Sequence, residues 1–432
     1  MNKFALITIV AFTSSSFVQA DVIHEINDYN TTKTEKVKIK SIRGVLGNYD
    51  LEKHSKAQVR AGYINFDQDG SPRTSSYALA GHYHVDSNVW NGMKVNLEAY
   101  TVLNVGINQN SANVNGDFFN DNGKSFILIS QAYLNGKWGD TEINFGRQIL
   151  DTPHADSDDI RMMPNYFEAY NISNTDIENT TLSAGFIRQM AGWENGIDAS
   201  QFVNLGQTLD TKGVDIDGVA YANIGYDGIK DLSLNVWYYN YNDIANVVYA
   251  DAAYNYKFSK DDNLMLAVQY DASRETGSAL LGQQDANTYG ISAELTLESI
   301  GIHILAAYNQ DSGETGAMGL SLGGGPFFTS MEDQTLDAIG AAGSAWIIGT
   351  GYHFSAIGID GLNAGIAYGN FKSKDSNVYE SNEIDVVVEY ALNDKTSLTA
   401  AYASVKFDAG LDENNQALTD YNQFRIITQH YF

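Results

Sequence analysis

Apolar residues recur at every second position in segment after segment of this chain, and no other feature limits its fold as much. In 287–298, Tyr289, Ile291, Ala293, Leu295 and Leu297 share one face, while Thr288, Ser292, Glu294, Thr296 and Glu298 share the other. In 383–392, Ile384, Val386, Val388, Tyr390 and Leu392 oppose Glu383, Asp385 and Glu389. Side chains alternate across a strand, so a period of two reads as strands with one apolar and one polar face. Strands are expected at 57–66, 75–86, 93–106, 125–138, 140–150, 165–172, 179–191, 213–226 and 231–242. The second half continues at 245–258, 262–272, 285–298, 301–311, 345–355, 361–372, 381–392, 396–407 and 420–432. Most of these eighteen approach the roughly 9–11 residues that cross a bilayer at a tilt.

Connection lengths separate a soluble sandwich from a membrane barrel. Short turns (Trp90-Asn91-Gly92, Gly139-Asp140, Asp227-Gly228, Asn393-Asp394-Lys395) alternate with a second set that is mostly longer and polar: 107–124, 151–164, 192–212, 273–284, 312–344 and 408–419. Short turns at one rim and long loops at the other describe a transmembrane antiparallel up-and-down β-barrel, an all-β fold. Pro72, Pro153, Pro164 and Pro326 all fall in the long-loop set, where no ladder hydrogen bond is lost. An even strand number places both ends of the barrel on the short-turn, periplasmic side.

Residues 1–20 read as a secretory signal peptide, with Lys3 before an apolar core and Val18 and Ala20 ahead of a cut at Asp21. The barrel is assigned to 57–432. Residues 21–56 are expected to form a periplasmic extension, 36–49 being the alternative nineteenth strand. The chain lacks cysteine, which removes disulfides, Cys-zinc sites and thiol nucleophiles. A net charge of −27 argues against nucleic acid as a partner. No Gly-x-Ser-x-Gly elbow is present, and nothing positive points to an enzyme. Phe432 closes an amphipathic strand in the manner of the signal read by the outer-membrane barrel-assembly machinery, although His430 stands where an apolar residue or Tyr is usual.

The segment 146–170, GRQILDTPHADSDDIRMMPNYFEAY, resembles the OprD-type porins. In these a strand ends, an Asp-Arg-Leu-Leu-Pro-like run follows and a Phe-Glu-Gly-like strand begins. Asp159, Arg161, Met162, Met163 and Pro164 occupy the run, and Phe167, Glu168 and Ala169 the strand start. The two methionines replace leucines, and Ala169 replaces glycine. The segment 237–256, WYYNYNDIANVVYADAAYNY, is similar to an aromatic-rich hairpin of the related campylobacter-type major porins. The likeness spans roughly 57–432. It implies a trimeric, eighteen-stranded channel in the outer membrane of a Gram-negative cell, in contact with lipid and lipopolysaccharide, with its third loop folded inward.

On this reading the constriction carries Asp151, Asp156, Asp158, Asp159, Arg161 and Glu168. Strand parity adds Glu98, Glu142, Asp251, Glu294, Glu298, Glu383, Asp385 and Glu389 to the lumen, with Arg60, Lys257 and Arg425 as the fewer cations. Arg147 and Arg188 fall on the lipid-facing parity, at strand ends near the rim. Carboxylate rings favour cations in a pore. The expected function is passive diffusion of ions and small hydrophilic solutes with weak cation preference, and the alternative is a plugged or adhesive barrel. No cofactor is expected. A Ca²⁺ site at Asp156 and Asp158 stays open, since clustered hard oxygens suit that ion, but the loop lacks an EF-hand pattern. The 33-residue segment 312–344 is expected to cover the mouth or pack on a neighbouring subunit.

Overall fold

A computed structural model describes residues 51–107, 113–317, 320–412 and 415–432. The proposed signal peptide, the 36–49 segment and most of the 21–56 extension lie outside these. The first half of the wall comprises β1 (Ser55–Gln68), β2 (Thr74–Asp86), β3 (Met93–Asn104), β4 (Phe126–Trp138), β5 (Thr141–Gln148), β6 (Tyr166–Asn174) and β7 (Thr180–Ala191). A two-residue β8 (Val203–Asn204) hangs on β7 inside a loop, after which come β9 (Val219–Ile229), β10 (Leu232–Tyr241), β11 (Ala245–Lys257), β12 (Asp262–Glu275) and β13 (Asp285–Leu297). The wall ends with β14 (Ile302–Asp311), β15 (Gly343–His353), β16 (Leu362–Ser373), β17 (Glu380–Asn393), β18 (Thr396–Ala409) and β19 (Tyr421–Tyr431).

Every neighbour pair is antiparallel, β7 pairs directly with β9, and β1 pairs with β19 from Gln58↔Tyr431 to Gln68↔Tyr421. Eighteen strands therefore close on themselves, and closure removes the unpaired edges that an open sheet exposes. The largest shift from an expected boundary is at one strand start. β9 starts at Val219 and not at 213, because Asn204 caps the short helix Leu205–Thr208 and binds the Ile216 amide and carbonyl. That ties the preceding residues into the loop.

Strand alternation fixes the two faces. The outer rows are apolar and bare, with Ile127 at 72% and Ile291 at 59% exposure. Such a surface is stable only against lipid or a partner. The short turns use left-handed backbone where it is needed: Asn91 and Gly92 both have positive φ, and a side chain at Gly92 would meet the Lys137 carbonyl and the Trp138 ring.

The second, third, fourth and seventh connections pack buried apolar side chains onto the wall, the fourth (192–218) through Leu205, Leu209 and Ile216. From the second loop (105–125), Phe118 and Phe119 pack on Met162 and Met163 of the third loop (149–165) and on the wall residues Ile64, Tyr100 and Val102. Gly62 makes room for this layer, since a Cβ there would strike the Met162 sulfur. From the seventh loop (312–342), Phe327, Phe328, Leu336 and Ile339 pack on Leu305, Ile347, Ala367 and Phe371. The inward course differs from the expectation that the segment covers the mouth. The loop carries its own apolar residues and buries them inside, each such side chain contributing about 1.5–3 kcal/mol.

Candidate functional site

The third loop is pinned to the wall by Arg60 of β1. The Arg60 guanidinium clasps the Asp159 carboxylate through both terminal nitrogens, Nη1 reaching Oδ1 at 2.5 Å, and Nη1 also donates to the Arg161 carbonyl at 2.9 Å. Planar two-point pairing fixes orientation as well as distance. Tyr100 Oη donates to the Met162 carbonyl at 2.8 Å, holding the next residue of the loop. Glu98 of β3 accepts from Tyr166 Oη and Ser130 Oγ, both at 2.8 Å, with His84 3.7 Å from its second oxygen. Arg161 lies 3.9 Å above the Trp193 ring and 3.5 Å from Asp158. Burial pushes the Asp158 carboxyl well above the usual carboxylate range, and the negative charge of Glu194 adds to the shift.

The seventh loop meets the third from across the lumen. Leu322 N–H donates to the His154 carbonyl at 2.9 Å and Asp156 N–H to the Leu322 carbonyl at 3.2 Å. His154 Nε2 lies 2.7 Å from Asp271 Oδ2 of β12. Beyond this junction the loop tip is captured by β17. Glu383 accepts the amides of Asp333 (2.9 Å) and Gln334 (2.8 Å), and Asp385 accepts that of Glu332 (3.1 Å). The tip presents Glu332 to Arg425 of β19, forming an ion pair, while Asp333 takes the Gln423 amide at 3.2 Å.

Arg60, Arg161 and Arg425 thus face Asp117, Asp158, Asp159, Glu332 and Asp333 near the junction of the second, third and seventh loops, with Glu194 supplied by the fourth. Burial raises the Asp333 and Asp117 carboxyls, against the opposing pull of Arg425 and Arg161. Asp159 still keeps 41% of its side chain accessible despite its ion pair. Toward the short-turn end, Glu142 and Glu298 remain partly exposed, bonded to Asn135 (2.7 Å) and His353 (2.9 Å). Polar, partly hydrated inner walls are what a water-filled lumen requires.

The expected site residues divide into three groups. Asp156, Asp158, Asp159 and Arg161 sit in the inward third loop, with Asp151 beside them accepting the Ser157 amide at 3.2 Å. Arg60, Glu98, Asp251, Glu294, Glu389 and Arg425 lie on the inner face, Glu294 beside His303 and Asp251 beside Asn235. Glu383 and Asp385 also point inward, but their oxygens anchor the seventh loop. Glu168 is a correction. Its cross-strand partner is Arg147, next to the outward pair Phe145 and Tyr170, because the buried Phe167 and Ala169 take the inner parity at that rim. Phe432 donates its amide to the Ala57 carbonyl at 3.0 Å. Among the described residues no group of three or more His, Asp or Glu side chains is placed to hold a metal. Asp117, Glu194, Glu332 and Asp333 escape sequence reasoning because their loops have no period.

The sequence profile of the OprD family of outer membrane porins matches residues 108–432. The chain belongs to this family. It is an outer-membrane porin of a Gram-negative cell, and its barrel is a channel. No curated protein sequence matches it. Among solved structures the porin is similar to OccK9 (OpdG) of Pseudomonas aeruginosa, at TM-score 0.73 and 17% identity, covering 88% of this chain and 98% of that one. OccAB3 of Acinetobacter baumannii aligns at TM-score 0.73 and 14% identity, with the same two coverages. Pseudomonas aeruginosa OpdK with vanillate aligns at TM-score 0.71 and 16% identity, covering 88% and 99%.

Proposed function

We propose that this porin admits small hydrophilic solutes and prefers cations, through a constriction built by its second, third and seventh loops, with Glu194 supplied by the fourth. The observation that carries the reading is the charge balance there: six carboxylates (Asp117, Asp158, Asp159, Glu194, Glu332, Asp333) face three guanidiniums (Arg60, Arg161, Arg425). Fixed carboxylates in a narrow low-dielectric passage favour cations. An anionic solute such as the vanillate seen with OpdK is not expected here, since each of the three arginines already faces a carboxylate. The protein acts as a channel and not as an enzyme.

The preference is pH-dependent in a direction set by burial. A carboxyl raised above its ordinary range protonates on mild acidification, so Asp158, Asp117 and Asp333 lose charge before exposed carboxylates do. On acidification the cation-to-anion permeability ratio should begin to fall at a higher pH than the ordinary carboxylate value of about 4 would allow. Asp158→Asn should flatten the profile. A ratio that falls only where ordinary exposed carboxylates titrate would remove these groups from the ion path.

The channel is further proposed to assemble as a homotrimer and to be recognised by the barrel-assembly machinery through Phe432. Phe432→Ala should reduce the membrane-inserted, heat-modifiable fraction severalfold in cells. An undiminished fraction would discard that role.

A further inference from the structure

We propose that Arg147 and Arg188, on the outer wall, form a binding site for a phosphate group of an outer-leaflet lipid. Four upward strands mark the membrane level. β10, β14, β16 and β18 each place an outward tyrosine six residues above the strand start: Tyr238, Tyr308, Tyr368 and Tyr402. Each hydroxyl donates to a nearby amide oxygen: Asn246 (2.8 Å), Gln310 (2.6 Å), Asn382 (2.7 Å) and Asn422 (2.8 Å). Rings with one wet end collect at the headgroup level of a membrane barrel. Arg147 stands at the same sixth position on β5, and Arg188 eight above the start of β7. Both therefore lie at the height of lipid phosphates, on the rim that carries the long loops.

The local chemistry suits an anion. Glu168 sits between the two guanidiniums, 3.7 Å from Arg147 and 3.6 Å from Arg188, and Asp217 adds a second, more distant negative charge near Arg188. Arg147 also donates to the Ile129 carbonyl at 3.4 Å and lies 4.3 Å above the Phe202 ring, while Arg188 hydrogen-bonds the Tyr170 hydroxyl. Two five-donor forks thus converge on one carboxylate and two neutral oxygens. Half of the Arg188 side chain, at 52%, remains accessible beside apolar outer rows. A phosphate supplies the missing acceptors, and guanidinium matches it in two-point geometry. The assignment does not depend on the ion preference of the lumen.

The test is binding of fluorescent lipopolysaccharide to the full chain in detergent, with and without the lipid phosphates. The proposal expects saturable binding that weakens at least tenfold on dephosphorylation and similarly in R147Q/R188Q. E168Q removes the competing carboxylate, so it should bind severalfold tighter, a gain that misfolding does not produce. Equal affinity for the dephosphorylated lipid would overturn the proposal, as would displacement by equimolar inorganic phosphate. A changed oligomeric state in R147Q/R188Q with lipid affinity unaltered would assign the pair to a subunit contact instead.

Discussion

Replacing Glu383 and Asp385 together by alanine should raise the single-channel conductance about twofold or more. The two carboxylates accept three backbone amides of the seventh loop, from Glu332, Asp333 and Gln334. Hydrogen bonds to a charged group contribute about 1.5–3 kcal/mol each, so the tip loses on the order of 5 kcal/mol of anchoring. Phe327, Phe328 and Leu336 stay buried against the wall and keep the base of the loop in place. Only the tip swings away, taking Glu332 from Arg425 and widening the passage. Glu389→Gln, on the same strand and outside the loop contacts, should leave conductance nearly unchanged. Planar-bilayer recordings distinguish the two variants. An unaltered conductance in E383A/D385A would show that the tip does not narrow the pore.

Removing the positive side of the constriction should have the larger effect on selectivity. Arg60→Gln with Arg425→Gln leaves Asp159 and Glu332 without their cationic partners. A unit charge about 6 Å from a permeating ion, at an effective dielectric constant of about 40, is worth about 1.4 kcal/mol, or tenfold in permeability ratio. The double variant should therefore become more cation-selective by at least one order of magnitude in reversal-potential measurements. Glutamine preserves donors toward the Arg161 carbonyl and limits the strain on the third loop. A permeability ratio that does not move would place the ion path away from both arginines.

The wall was legible because a strand has a period of two and lipid enforces it. In β13 and β17 the residues assigned outward from alternation, such as Ile291 and Ile384, are the exposed ones, and Glu294, Glu383 and Asp385 are buried on the inner side. The loops obey no such period. The third was readable from the resemblance of 146–170 to known porins, whereas the inward course of the seventh depends on Phe327 and Phe328 packing on wall strands, which no period in the loop announces. Glu168, expected at the strand start and assigned to the constriction, follows the alternation of β6 and faces outward. The carboxylates of β17 look like pore lining in sequence and act as loop anchors in three dimensions.

The most direct test of the account is the reversal potential of the wild-type protein in a planar bilayer across a salt gradient. The account predicts conductance in steps of three and a reversal on the cation side that weakens on acidification. A reversal at zero or on the anion side would contradict the charge balance drawn from the constriction. Silent membranes containing inserted protein would show that the inward loops close the lumen.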